Sequence, residues 1–542
     1  MATVDTFAAT DILQFDHLHV YVDELKALSH YKALELRFNA LEATLEAEGG
    51  AAAATEERAR AAWLAQDGSA STIPEFVVAG QDLVEQMISG AGWRIAAACD
   101  GSTTTSMVLH SRDSSGIRFC FTAKSAVAGS PPASKRSREE FEHFASHNVD
   151  RFVTNQSGAQ GIAVLAFEVP SGSTKHILSA YAAKHPKLIR GGAEGALKTY
   201  EMELPGAEAA KVSILEVFAY YTGDVCTSDA DVGTVIRFVE RVGADGSALP
   251  LGSAHALVLP GLRAVEHAFE KAAVPAFADH WVSNVVSRKG FLATLEDTLG
   301  FTPKVDFNAG VVAAGEAIIE STVTGNASPF STSNVAEGLV NQSQVYLPIN
   351  NALSEVGHVH CYLDEIGQGV QHVANRVSDL GSFIAWVNRR RRITGLGFSF
   401  LNIPRSYYGK LRDSAFAAVS PAPSAALIAA VNAALSTAGL IDIAGIVKLS
   451  ITAAEISALT VAAPLQAEFS ACLPGVTKVI SESRYANLLD LLGSGMSEKT
   501  YLTIVENKIL VDIQNSDILY QIFTTNVLQR KMGLEVRPLR AD

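Results

Sequence analysis

Four segments of this chain share one pattern: a strand-like run, a polar turn and a helix of about three turns. The strand-like runs are Phe15 to Val22, Ile162 to Val169, Ala278 to Val285 and His372 to Val377. The helices that follow them are predicted over residues 24–36, 174–184, 289–299 and 380–391. Repetition of one strand-helix unit indicates internal duplication. We therefore expect an α+β protein of two halves joined near residues 250–262, each half a curved sheet built from two modules.

Further strands are predicted between these segments, over residues 117–122, 234–239 and 344–350. Two stretches fall outside the repeat. Residues 42–67 are rich in Ala, Glu and Arg and predict a surface helix. Residues 415–473 are rich in Ala, Ser, Leu and Ile and predict a helical insertion without recognisable chemistry.

Length and composition support a two-domain globular protein. A chain of 542 residues is too long for one ordinary hydrophobic core. A composition of 48% hydrophobic and 18% charged residues argues against extensive disorder. We predict domain boundaries at 1–250 and 251–542, with the helical insertion in the second domain.

The net charge and the cysteine content limit the binding partners and the cellular compartment that we expect for this protein. The net charge is −14, and the only basic run is Arg389 to Arg392, which we expect on the solvated side of a helix end. Nucleic acid is therefore not an expected partner. Five scattered cysteines without a CxxC pair favour a reducing compartment. Without a secretory signal or an apolar run long enough to span a membrane, we expect a cytoplasmic protein.

Two histidines and one carboxylate are candidate metal ligands. His372 follows a glycine turn at Gly367 and Gly369, and His280 occupies the corresponding position of the preceding module. Glu535 alternates with apolar residues near the C-terminus, which predicts that it points into a sheet. Two imidazoles and one carboxylate with open positions are the ligand set of non-haem Fe(II) oxygenases. The alternative is that all three residues are incidental.

The chain resembles the 4-hydroxyphenylpyruvate dioxygenase family of the vicinal-oxygen-chelate superfamily over nearly its whole length. Matching motifs occur in the family order, and together they are specific. They are Phe15-Asp16-His17, Gly116 to Ala123, Leu259 to Leu262, Asp279-His280, Leu347-Pro348-Ile349-Asn350, Gly369-Val370-Gln371-His372, Arg405-Ser406-Tyr407-Tyr408 and Gln521-Ile522-Phe523-Thr524.

The resemblance implies an Fe(II)-dependent dioxygenase with metal in the second half only. Fe(II) would be held by His280, His372 and Glu535. The substrates would be 4-hydroxyphenylpyruvate, or a close aryl 2-oxo acid, and O₂, giving homogentisate and CO₂ in tyrosine catabolism. The other site residues carried over are the polar groups Asn350, Gln371 and Gln521 and the pocket residues Phe523, His358 and Pro348. Homo-oligomer formation is left open.

Several departures from the family leave alternatives open. His358 stands in a predicted strand where the family has a substrate-orienting glutamine, Gly533 replaces a phenylalanine, and the family's C-terminal gating helix has no counterpart before Asp542. A side-chain hydroxylase resembling hydroxymandelate synthase, or a degenerate member with a binding or structural role, are the alternatives. A cupin-like metal site that includes His358 and His360 is a further alternative. It requires both residues to lie in one strand, where side chains two apart share a face.

Overall fold

The computed structural model describes the chain with gaps, and every structural statement below refers to the described residues. These are residues 13–47, 53–67, 81–100, 104–112, 116–124, 160–218, 234–269, 274–311, 318–326, 333–365, 367–514 and 517–525.

Sixteen strands are present among these residues. They are β1 (Gln14–Tyr21), β2 (Arg94–Asp100), β3 (Thr104–His110), β4 (Arg118–Lys124), β5 (Gly161–Val169), β6 (Lys198–Leu204), β7 (Ala207–Phe218), β8 (Val235–Gly243), β9 (Arg263–Ala264), β10 (Ala276–Asn284), β11 (Thr302–Val311), β12 (Ile318–Gly325), β13 (Tyr346–Ala352), β14 (Gly369–Val377), β15 (Leu510–Gln514) and β16 (Asp517–Gln521).

Thirteen α-helices accompany these strands in the described part of the chain. They are α1 (Leu28–Ala47), α2 (Ala53–Asp67), α3 (Leu83–Ala91), α4 (Ser173–Lys184), α5 (Arg288–Leu299), α6 (Val335–Val340), α7 (His358–Glu365), α8 (Leu380–Thr394), α9 (Ala425–Thr437), α10 (Ala453–Ser457), α11 (Gln466–Ser483), α12 (Ala486–Leu492) and α13 (Glu498–Glu506). No helix among the described residues has both the length and the apolar character needed to cross a bilayer.

The chain divides into two compact units, and the boundary falls inside α8. The first unit comprises the described residues up to Ser378 together with Val387–Phe398. The second comprises Asp379–Trp386 and Ser399–Thr525. The predicted domain boundaries at 250 and 251 remain a prediction.

The first unit is built from a repeated βαβββ module. Its nine-stranded sheet has the order β6-β7-β8-β5-β1-β4-β3-β2-β9, and its five-stranded sheet has the order β11-β12-β13-β10-β14. In each complete module the first strand pairs in parallel with the fourth, as β1 with β4, β5 with β8 and β10 with β13. The first strands of neighbouring modules pair antiparallel, as β1 with β5 and β10 with β14. This is the topology of a vicinal-oxygen-chelate fold, so the predicted α+β class is confirmed.

The β-bulges of the two sheets occur at corresponding positions. Between β1 and β5 the register shifts twice, which leaves Asp16 and Ala163 as bulged residues. Between β10 and β14 the register shifts at the corresponding positions, which leaves Asp279 and Gln371 as bulged residues. Because bulges re-aim the side chains that follow them, the matched bulges orient the histidines after Asp16 and Asp279 alike.

One hydrophobic core holds the strands of the first unit together. Trp281 on β10 is 1% exposed, and its ring centroid lies 4.2 Å from that of Phe15 on β1 and 5.5 Å from that of Phe167 on β5. Aromatic side chains of this size bury more apolar area than any other residues. This contact therefore joins the two halves through the first strands of three modules.

Asp16 is the centre of a buried charge network in the nine-stranded sheet. Its carboxylate accepts hydrogen bonds from Arg118 (3.1 Å) and Arg241 (3.0 and 3.1 Å), and Arg241 also donates to Glu168 (2.9 Å). Burial raises the pKa of the Asp16 carboxyl, but the charges of Arg241 and Arg118 lower it by more than burial raises it. The pKa therefore lies well below its ordinary value. The aspartate is therefore ionised, and it neutralises guanidinium groups that are themselves out of water.

The second unit is mostly helical and has its own apolar clusters. Leu427 and Val431 of α9 pack with Phe469, Val476 and Ile480 of α11. These helices lie where the sequence predicts an insertion over residues 415–473. The hairpin of β15 and β16 completes the unit.

Two sequence expectations are corrected by the packing of α8. The arginine run at 389–392 was expected to be solvated, yet Arg390 is 0% exposed, with its guanidinium 3.5 Å from Glu42 and stacked over Phe38. Arg392 alone of the run is exposed, and it pairs with Glu56. The single surface helix predicted over 42–67 is instead the end of α1 and a separate α2, and Glu42 itself is buried.

Substitution of Asp16 tests the charge network. Asp16→Asn should lower the free energy of unfolding by about 3 to 5 kcal/mol, because two buried guanidinium groups lose their anionic partner. Urea unfolding of the full-length protein at neutral pH measures this change. The control is Asp297→Asn, whose carboxylate is 49% exposed beside Lys184 and should matter by less than about 1 kcal/mol. Similar small effects for both variants would contradict the assignment.

Candidate metal centre

His280 and His372 lie side by side on neighbouring strands. In the antiparallel pair of β10 and β14, His280 is opposite Ala374 and His372 is opposite Val282. Residues opposite each other in an antiparallel pair share a face of the sheet, as do residues two apart on one strand. The two imidazoles therefore share a face, and their ring centroids are 5.9 Å apart at an interplanar angle of 77°.

Each imidazole is oriented by the bulged residue that precedes it. Nδ1 of His280 donates to Oδ2 of Asp279 at 2.6 Å, and Nδ1 of His372 donates to the side-chain oxygen of Gln371. A proton held on Nδ1 leaves the lone pair of each ring on Nε2. Both rings thus have the tautomer and the fixed orientation that a metal ligand requires.

The electrostatic environment keeps His372 neutral. Burial lowers the pKa of His372 to about 4, and the charges of His280 and His358 act in the same direction. Burial raises the pKa of the Asp279 carboxyl, but the hydrogen bond from His280 and the charges of His280 and Arg376 bring it below its ordinary value. A neutral imidazole and an ionised supporting carboxylate are the states in which histidine binds a metal ion.

The third predicted ligand, Glu535, lies outside the described residues, and so does Gly533. Within the described ranges no three His, Cys, Asp or Glu side chains lie close enough to hold a metal ion. Two imidazoles of suitable tautomer fit an Fe(II) site of the two-histidine, one-carboxylate kind. The carboxylate remains a prediction.

Other predicted site residues of the first unit lie around the histidine pair. Gln371 is the bulged residue that bonds His372. The parallel pairing of β10 with β13 sets His280 beside Tyr346 and Asn284 beside Asn350 in one continuous register. By strand alternation, Pro348 and Asn350 therefore share the face of the histidines.

Gln521 and Phe523 belong to the second unit. Gln521 is the last residue of β16, paired with Leu510 of β15. The backbone carbonyl of Phe523 accepts a hydrogen bond from the backbone N–H of Leu401 at 2.9 Å. Their role toward the histidine pair stays a prediction.

The strand predicted around His358 is wrong, because residues 358–365 form helix α7. Val359 and Tyr362 are buried, which is the three-residue spacing of a helix face. His358 is exposed, and in a helix it points about 200° away from His360. The shared strand face that a cupin-like site would need is therefore absent at these two residues.

Sequence reasoning missed Asn284, which ends β10 on the face of the histidines. It is 0% exposed, and neither atom of its carboxamide has a hydrogen-bond partner in the described structure. An unpaired buried amide is costly, so its presence four residues after His280 points to a functional use. The parity of Asn284 with His280 along one strand was the available signal.

Comparisons with known proteins give loose structural likenesses only. No protein-family model and no curated protein sequence matches the chain. Among solved structures, a triple mutant of 4-hydroxymandelate synthase from Streptomyces coelicolor is 15% identical over 82% of this chain and 84% of its own, with a TM-score of 0.43. A fusion of a xylose isomerase-like TIM barrel with 4-hydroxyphenylpyruvate dioxygenase is 12% identical over 95% of this chain and 58% of its own, with a TM-score of 0.39. These likenesses carry no weight in the assignment of an activity.

Removal of the carboxylate that supports His280 should weaken metal binding. Asp279→Asn should lower the affinity for Co(II) by roughly 10- to 100-fold, because the neutral amide lacks the negative charge that raises the basicity of the imidazole. Titration of the metal-free protein with Co(II) by calorimetry measures this. Asp364→Asn, an exposed aspartate on α7, is the control and should bind Co(II) like the parent. Equal affinities in both variants would separate Asp279 from the metal site.

Asn284 should be a residue whose removal stabilises the fold. Asn284→Leu should raise the free energy of unfolding by about 1 to 2 kcal/mol, because an unpaired amide leaves the interior. The matched control is Asn326→Leu. Asn326 is also buried, at 4% exposed, but its amide donates to the Ser343 carbonyl (2.8 Å) and accepts from the Val345 N–H (3.0 Å). That variant should be destabilised by about 1 to 3 kcal/mol. Urea unfolding gives both values, and destabilisation by Asn284→Leu would contradict the expectation.

Proposed function

We propose that this chain is a non-haem iron dioxygenase that acts on an aryl 2-oxo acid, with 4-hydroxyphenylpyruvate as the first candidate. His280 and His372 would hold Fe(II) through Nε2, and Glu535 would supply the carboxylate. The proposal is supported by the pair of oriented imidazoles on one sheet face and by the sequence motifs that surround them. The products would be homogentisate and CO₂.

The observation that carries the proposal is the difference between the Asp-His pairs of the two halves. Asp16 and His17 are 0% exposed at their side chains, whereas Asp279 is 35% and His280 is 25% exposed. The same hydrogen-bonded pair is therefore sealed in the first half and accessible in the second. A structural pair gains nothing from exposure, but a ligand must be reached by metal and substrate.

Each residue has a separate task in this proposal. Bound Fe(II) would activate O₂ and accept the oxo and carboxylate oxygens of the substrate. Asp279 and Gln371 hold the protons at Nδ1 of the two ligands, so that Nε2 stays available. Asn350, on the histidine face, would orient the polar groups of the substrate, and Pro348 would limit the pocket beside it.

Oxygen consumption tests the activity. Protein reconstituted with Fe(II) should consume O₂ only when 4-hydroxyphenylpyruvate is present, and His372→Ala should abolish uptake because a ligand is lost. The control His360→Ala removes a histidine of α7 and should retain uptake. Glu535→Ala is the companion variant for the predicted third ligand, and it should lose iron-dependent turnover while staying folded.

The other outcomes identify what is wrong. A mandelate product in place of homogentisate would assign oxidation to the side chain of the substrate. If iron binds through His372 but no O₂ is consumed, 4-hydroxyphenylpyruvate is excluded as the substrate, and the assignment of the metal site still holds. If the protein neither retains iron nor consumes O₂, a binding or structural role for the chain would be favoured.

A further inference from the structure

A second pair of histidines lies in the first half, and a guanidinium occupies the space between their nitrogens. Nη1 of Arg237 on β8 lies 3.0 Å from Nε2 of His17 and 3.3 Å from Nδ1 of His19. The same guanidinium donates to Glu216 at 2.8 Å through Nε, and its Nη2 is also 2.8 Å from that carboxylate. All four side chains are buried. Two imidazoles and one carboxylate therefore surround the guanidinium of Arg237, and the same carboxylate also accepts a hydrogen bond from Arg190 at 2.8 Å.

Hydrogen bonds determine which nitrogen of each imidazole faces the cation. Nδ1 of His17 donates to Asp16 at 2.6 Å, so its Nε2 carries the lone pair. Nε2 of His19 bonds Thr122 at 2.7 Å, and its Nδ1 must accept because a guanidinium only donates. Burial lowers the pKa of His17 to about 4 and the pKa of His19 well below its ordinary value. Both rings are neutral acceptors, as metal ligands are.

The imidazoles of this cluster are about as far apart as those of the candidate metal centre, although His17 and His19 stand on one strand and His280 and His372 on two. The ring centroids of His17 and His19 are 6.3 Å apart, against 5.9 Å for His280 and His372. The bulges and strand registers of the two halves also correspond, and Arg237 stands on β8 beside Ala166, the partner of His17 across β1 and β5. By this register His17 corresponds to His280, so a guanidinium lies beside the histidine whose counterpart is a candidate metal ligand.

We propose that Arg237 is the resident cation of a metal-type site formed by His17, His19 and Glu216, and that its removal converts this cluster into a divalent metal site. In the native chain the guanidinium keeps the three donors apart. This agrees with the absence, among the described residues, of any three such side chains close enough to hold a metal. Two imidazoles and a carboxylate bind late first-row divalent ions. Arg237 therefore excludes metal from the first half.

Metal stoichiometry tests this inference independently of the proposed function. The background carries His280→Ala and His372→Ala, so that the second half does not contribute. In that background Arg237→Ala should bind one further equivalent of Co(II), measured by elemental analysis and by the visible absorption of the bound ion. The matched control adds His19→Phe to Arg237→Ala, and it should lose that equivalent.

Two results would overturn the inference, one if Arg237→Ala folds and one if it does not. A folded Arg237→Ala protein, by circular dichroism, that binds no more Co(II) than its parent contradicts the site. If that variant does not fold, Arg237→Lys and Arg237→Met are compared by thermal unfolding. Lysine keeps the cation and should give the higher melting temperature. A methionine variant that is equally or more stable shows that only volume is needed, and the inference fails.

Discussion

A hydrogen bond from an imidazole Nδ1 to the side-chain oxygen of the preceding residue recurs three times in the first unit. It joins His17 to Asp16, His280 to Asp279 and His372 to Gln371, and in each aspartate case the distance is 2.6 Å. A regular strand sends consecutive side chains to opposite faces, so this bond between neighbours depends on the bulge. The register shifts that produce the bulges thus determine where the ring nitrogens of these three histidines point.

The two halves use this arrangement differently because different charges surround it. Around Asp16 the guanidinium groups of Arg118 and Arg241 complete the hydrogen bonding, and the network is dry. Beside Asp279, Nε of Arg376 lies 3.7 Å from the carboxylate, and the Asp279–His280 pair remains partly exposed. One module has therefore become part of the protein interior, while its copy keeps an opening.

The sequence predicts the strand-helix repeats and the positions of His280 and His372 because these depend on local alternation and on turns. It does not predict α7, since Val359 and Cys361 alternate with histidines as in a strand, whereas Val359 and Tyr362 have the spacing of a helix face. The burial of Arg390 was also beyond reach, because its partner Glu42 is 348 residues away. The sequence around Asn284 does not indicate that its carboxamide lacks a hydrogen-bond partner, because this depends on all of its neighbours in the folded protein.

The partners of Asp16 also determine when the first strand can be completed during synthesis. Arg118 and Arg241 lie 102 and 225 residues further along the chain. At about 5 to 20 residues per second, Arg241 leaves the ribosome roughly 10 to 45 s after Asp16. Until then a carboxylate in the middle of an apolar strand has no reason to leave water. Strand β1 can therefore reach its native surroundings only after 225 further residues have been synthesised, and until then it stays in contact with solvent.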